Sequence, residues 1–133
     1  MKTATVLGET WYLIETEAQL RAIGSESYPL SAKYMLYADI TLTKTEDWKP
    51  LGTFDVPFTG AFIGNGFEII DLTITDPNVK VIGMFAYVQN ANIGNITLRN
   101  PDIESAFRAG SSIAPIVVFG LGNNKIYDNQ IIN

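Results

Sequence analysis

The chain has 133 residues, enough for one domain with a modest core and too few for two. Apolar residues make up 47% of it and charged ones 17%, which excludes a disordered tail. With a formal net charge of −5, neither a nucleic-acid backbone nor an anionic membrane suits it as a partner.

Cysteine and histidine are both absent. The first absence removes disulfides and thiolate sites. The second removes the usual general base near neutral pH and the commonest metal ligand. Any catalysis would have to run on Asp, Glu, Lys, Arg, Ser or Tyr.

The N-terminal stretch MKTATVLGETWYLIE has no small-residue cleavage site and does not read as a signal peptide. It leaves a cytoplasmic chain, or one whose leader was removed, as the expectations. TWYLI (10–14) is aromatic and β-branched and suits a short strand. In the following ETEAQLRAIGSESYPL, Thr16 and Gln19 have capping-box spacing and Gly24 suits the position after a helix. Ala18, Leu20, Ala22 and Ile23 can share one apolar side, so a helix is expected from about Glu17 to Ile23.

Short strands and turns follow. YMLYADITLT (34–43) reads as a strand pair or one bent strand, and 44–57 as a loop carrying Trp48. IIDLTITDPNVK (69–80) reads as a strand closed by a turn. Two strands are expected in 81–102 and another pair in 112–132. The longest apolar stretch, 111–122, is broken by Pro115, Gly120 and Gly122 and is too short to span a membrane.

Three segments share the form polar, apolar, Thr, apolar. DLTI (71–74) and NITL (95–98) align at an offset of 24, and DITL (39–42) precedes the first by 32. Separations of 24 to 33 residues suit one coil of a β-solenoid, whose apolar residues are covered only when coils stack. An antiparallel sandwich of short strands would have a similar composition.

WKPLG (48–52), PFTGAFIGNGFEIIDLTI (57–74) and GMFAYVQNANIGNITL (83–98) resemble the GLUG-type repeats of right-handed β-helix domains in bacterial and archaeal surface proteins. The matching residues are Trp48, Pro50, Gly52, Pro57, Phe58, Gly60, Phe62, Gly64, Asn65, Gly66, Ile69, Leu72 and Ile74, then Gly83, Phe85, Ile93, Asn95, Ile96 and Leu98. Ile63 stands where that pattern has aspartate and Ala86 where it has glycine. The resemblance covers roughly residues 11 to 98, with the last thirty as a looser repeat. It implies an all-β fold: a short right-handed parallel β-helix capped by one N-terminal α-helix. Residues 11–43 would form the first strand, helix and leading strands, and 44–133 the coils, in one domain that is either whole or part of a larger protein. Within that plan Gly64-Asn65-Gly66 turns a corner at positive φ. Phe58 and Phe62 fill the wide end of the column beside the helix.

Several residue groups could carry chemistry. Glu46 with Asp47 and Glu68 with Asp71 are carboxylate pairs, but hydrolysis needs two groups facing each other across about 5 to 10 Å. Neighbours on a strand point apart instead. A polysaccharide lyase would need a base such as Lys80, Arg99 or Arg108 beside acidic calcium ligands; Asp76, Asp102 and Glu104 form no compact loop of that kind. GLGNNK (120–125) faintly resembles a phosphate loop but lacks its spacing and reads as a turn. Thr41, Thr43, Thr73, Thr75 and Thr97 suggest an ice-binding face, which the unequal separations argue against. Trp11, Tyr12, Tyr28, Tyr34, Tyr37 and Trp48 could form a sugar-stacking platform or, preferably, pack the helix onto the first coil. Asn95, with Asn65 or Asn92, could form a ladder inside the corners.

The expected function is therefore a non-catalytic structural or adhesive module, extracellular or at the cell surface by the resemblance, without cofactor, metal, nucleic-acid partner or membrane insertion. A surface glycan or partner protein is the expected ligand. A carbohydrate-active domain is the alternative, and so is self-assembly through Val117, Val118, Phe119, Ile131 and Ile132.

Overall fold

A computed structural model of the chain describes residues 1–103 and 109–133. The chain opens with an antiparallel hairpin of β1 (Lys2–Val6) and β2 (Glu9–Ile14). Its turn residues, Leu7 and Gly8, sit at φ 52° and 79°, which suits the twist of a hairpin. The sequence reading missed β1 because four of its five positions are exposed, leaving no apolar alternation to see.

Thr16 then caps α1 (Glu17–Arg21), accepting the Gln19 N–H at 3.2 Å. The helix ends at Arg21, short of Ile23, because Ala22 begins a turn that Gly24 completes at φ 99°. Leu20 and Ile23 are buried in the core all the same, so this end of the column is sealed.

Twelve short strands follow: β3 (Lys33–Leu36), β4 (Ile40–Thr41), β5 (Ala61–Ile63), β6 (Glu68–Ile70), β7 (Val81–Ile82), β8 (Phe85–Gln89), β9 (Asn92–Gly94), β10 (Thr97–Arg99), β11 (Ser112–Ile113), β12 (Val117–Leu121), β13 (Lys125–Tyr127) and β14 (Gln130–Ile132). Segments 81–102 and 112–132 thus hold four strands each, where two had been expected, because each corner divides a run that reads as continuous. Pairing is parallel throughout after the hairpin: β2–β3–β5–β9–β13, β4–β6–β10–β14, β7–β11 and β8–β12. Each sheet takes one strand from each turn of chain. The fold is a β-solenoid of about three turns, not a sandwich. Stacking already begins at β2 and β3, ahead of residue 44.

The offsets of 24 and 32 do not survive. Ile40 lies over Ile69 and Ile69 over Leu98, so DITL stacks on EII (68–70) and not on DLTI. Bonds between adjacent coils join residues 29 apart (Asp39 to Glu68), 31 apart (Glu68 to Arg99) and 33 apart (Thr97 to Gln130). Corner length explains one such change: Phe62 and Ile93 are paired 31 apart, but Ile69 and Leu98, past the corner, 29 apart. Between β5 and β6 the chain runs through Asn65 and Gly66, both at positive φ, whereas the later corners use a single such residue, Asn95 or Asp128.

Registration builds apolar columns through the interior. Tyr34, Phe62, Ile93 and Ile126 form one, and Ile40, Ile69, Leu98 and Ile131 another. Phe58 and Phe62 are buried as expected, and both pack edge-on against Phe85. The loop at 44–57 contributes to the core as well. Trp48 is buried, its indole N–H donates to the Met84 carbonyl at 3.0 Å, and Leu51 bridges to Phe85.

Side-chain amides close the corners, but not as a ladder on Asn95. Asn95 contributes its left-handed backbone. The reaching side chains are Asn65, which donates to the Leu36 carbonyl, Asn124, which accepts from Ala91 N–H, and Asn129, which accepts from Ile96 N–H at 2.8 Å. The Asn92 Oδ1 is buried without a partner among the described residues. Asn129→Ala leaves the Ile96 N–H without its acceptor and is expected to cost about 1–3 kcal/mol. Urea denaturation of the two chains measures it.

Candidate functional site

The carboxylates that could have formed an acid–base pair are engaged by the fold. Glu17 and Glu46 both hold the Arg21 guanidinium at 3.0 Å, and Arg21 also donates to the Glu46 and Asp47 carbonyls. Asp47 accepts the Thr75 and Asp76 N–H groups at 2.9 and 2.8 Å and the Thr75 hydroxyl at 3.0 Å. Glu68 forms a two-point pair with Arg99. Asp71 accepts from the Asn100 side chain and lies 3.9 Å from Lys44. The four acids of the two pairs thus point to four different partners.

These contacts shift proton affinities. The Thr43 backbone N–H, with help from Arg21, holds the Glu17 carboxyl below its ordinary value despite partial burial. Burial works the other way on Asp47, but the Thr75 and Asp76 N–H groups outweigh it and the net shift is downward. The Arg99 guanidinium lowers Glu68. A carboxyl depressed in the folded state contributes stability that is complete above its unfolded value, 4.5 for Glu or 3.8 for Asp. That contribution is lost as pH falls through the folded value. The urea midpoint is therefore expected to fall steadily below about pH 4.5, with a shallower fall in Glu17→Gln.

The lyase residues are dispersed. Lys80 reaches the Pro77 carbonyl, Arg99 is paired with Glu68, and Asp102 bridges Thr73 in the adjacent coil. Glu104 and Arg108 lie outside the described residues. Among the described residues no group of three or more Asp and Glu is placed to hold a metal ion, and no helix is long and apolar enough to cross a membrane. GLGNNK carries no loop of that kind: Gly120 and Leu121 end β12, Lys125 begins β13, and the turn between them is residues 122–124, with Gly122 at φ 74°. The threonines make no array: Thr41 lies over Ile70 and Arg99, and Thr73 is buried.

The early aromatics pack inward. Tyr34 and Trp48 are buried, Tyr12 stacks on Tyr34 at 5.5 Å, and Tyr28 meets Tyr12 edge-on at 5.3 Å. The Tyr34 hydroxyl donates to the Pro29 carbonyl, and its burial raises its proton affinity. Tyr37, against Phe67, stays exposed.

Two further apolar surfaces lie outside the core, and Phe119 and Ile131 in them belong to the self-assembly group expected from the sequence. A file of aromatics runs along the outside of the solenoid: Phe54 meets Tyr87 edge-on at 6.1 Å, and Tyr87 stacks on Phe119 at 5.1 Å. Phe54 is 69% exposed. The three recur once per coil, so the signal was present but unreadable without the coil length. The second surface lies on β13 and β14. Ile93 and Leu98 are fully buried, whereas their stacked successors Ile126 and Ile131 are 44% and 36% exposed. A cavity of about 530 Å³ lies there between Asp102, Ile103, Ile113, Pro115 and Ile131. A smaller one, of about 410 Å³, lies at the capped end between α1 and the Trp48 loop.

No family model matches the chain, and no solved structure matches it. Over 111 residues, 80% of its length, the chain is 32% identical to halomucin of Haloquadratum walsbyi. It spans 1% of that much longer relative, and what it shares with halomucin is sequence similarity over this solenoid.

Proposed function

We propose that this chain is a non-catalytic structural and adhesive module of a cell-surface or secreted protein, built on the GLUG-type β-helix plan. The observation that carries the reading is the use made of the charged groups. Glu46, Asp47, Glu68 and Asp71 each hold a partner within the fold, so the acids that hydrolysis or lyase chemistry would require are already engaged in joining loops and coils. The similarity to one small stretch of halomucin supports placement within a larger extracellular architecture. The GLUG assignment and the surface location rest on the resemblance of residues 48–98.

A glycan-array screen run beside polysaccharide hydrolase and lyase assays tests this. Retention on a glycan or a partner surface without turnover is the expected result. Turnover abolished by Asp47→Asn or Glu68→Gln would overturn it. One observation favours a carbohydrate ligand over a protein one: the exposed Phe54 ring offers apolar surface for stacking a sugar. Phe54→Ala is then expected to abolish glycan retention while leaving the thermal midpoint within about a degree.

A further inference from the structure

We propose that Asn95 is an acceptor site for an N-linked glycan, held outward at the corner between β9 and β10. The inference goes beyond the proposed module but rests on its surface location, because such glycans are added to exported chains. Asn95-Ile96-Thr97 is the one Asn-x-Ser or Asn-x-Thr triplet in the sequence, and its middle residue is not proline. A short motif is a weak signal by itself, and here the fold strengthens it. Asn95 is exposed, Ile96 is fully buried and Thr97 is half-buried. The isoleucine anchors the triplet while the two residues that carry the motif stay outside. Asn95 and Thr97 line one polar depression of about 370 Å³, with Glu68, Asp128 and Gln130 beside them.

The corner does not need the Asn95 amide. Asn65 and Asn129 spend theirs on the Leu36 carbonyl and the Ile96 N–H. Asn95 serves through its backbone, at φ 56°, and its side chain holds no hydrogen bond among the described residues. Coils cover the corner on both sides: Gly64 N–H donates to the Gly94 carbonyl, and Asn95 N–H to the Tyr127 carbonyl. Only its outer side is left open. In the transfer, the Asn95 Nδ2 attacks the anomeric carbon of a saccharide carried on a lipid phosphate. A C–N bond forms, and the anomeric C–O bond breaks with its electron pair leaving on the phosphate. One Nδ2 proton passes to a base of the transferase. The Thr97 hydroxyl, which that enzyme must read, accepts from the Gln130 amide at 3.1 Å and keeps its own proton to donate. Glu68, Asp128 and Gln130 then offer hydrogen bonds to the hydroxyls of the first sugar.

The test uses the folded chain, a lipid-phosphate-linked oligosaccharide and an oligosaccharyltransferase that modifies a peptide of residues 91–99. Intact-mass measurement is expected to show one saccharide per chain, and peptide mapping to place it on Asn95. Asn95→Asp is expected to abolish the addition. That variant suits the corner, since Asp128 adopts φ 53° one coil on. Thr97→Val is expected to lower transfer at least tenfold, and Thr97→Ser to retain it. A folded chain left unmodified while the peptide is modified would overturn the proposal, as would addition that survives Asn95→Asp. Fractionation of the cells that make the protein reads the location separately. A chain retained inside defeats the surface reading, and the glycan with it; an exterior chain that fails the transfer assay defeats the glycan alone.

Discussion

Gly64→Ala is expected to destabilise the chain by on the order of 3 kcal/mol, although this glycine has an ordinary backbone conformation. The reason is space. Gly64 lies directly over the Asn95 corner, its N–H donates to the Gly94 carbonyl at 2.9 Å, and a Cβ would occupy the place of the Asn95 carbonyl oxygen. That obstacle is backbone, held by its own bond from Asn95 N–H to the Tyr127 carbonyl, so it cannot swing aside. The two coils must separate locally, which strains the packing beneath and breaks at least one inter-coil bond. Overpacking alone costs about 1–3 kcal/mol and a lost bond about 1 more. Two residues on, Gly66 gives the contrasting case. It sits at φ 81° with open space where a Cβ would go, so Gly66→Ala costs only the left-handed strain, about 1–2 kcal/mol. Urea denaturation of both variants checks the ranking, and equal costs would mean that conformation, not stacking distance, governs this corner.

The same corner explains what could be read from sequence. Gly64-Asn65-Gly66 announced a sharp turn, and the spacing of Phe58, Phe62, Ile69, Leu72 and Ile74 marked an interior; all five are buried. Register was not legible, because alignment by the Thr positions treats them as equivalent. Thr97 actually lies over Glu68, and Thr41 over Ile70. Two extra residues at the Asn65–Gly66 corner shift everything after it, a change invisible to motif matching. The roles of the acids were hidden for a related reason. Asp47 is bonded to Thr75 and Asp76, which lie 28 and 29 residues away and become neighbours only when the coil length is known. Phe54, Tyr87 and Phe119 are not among the residues that match the motif, so only their recurrence once per coil could have marked the file.

Phe85→Ala is expected to cost about 3–5 kcal/mol, a large part of the stability of a domain this size. Phe85 is fully buried and is the shared member of two aromatic contacts: Phe58 at 4.9 Å and Phe62 at 5.9 Å, both edge to face. Truncation opens a cavity in mid-column and removes both contacts at once. The column is bounded by parallel strands on every side, so its walls cannot collapse without breaking ladder bonds, including Phe85 N–H to the Ile116 carbonyl at 2.8 Å. Phe85→Leu, which refills most of the space, is expected to lose less than half as much. Phe119 makes an informative control: it stacks on Tyr87 but is 38% exposed, and Phe119→Ala is expected to cost about 1 kcal/mol. In a solenoid each coil is stabilised chiefly by its neighbours. The loss at Phe85 should therefore be felt unevenly, with amides of β12 to β14 exchanging faster than those of β2 and β3. Uniform acceleration across all coils would instead mean that the column melts as one unit.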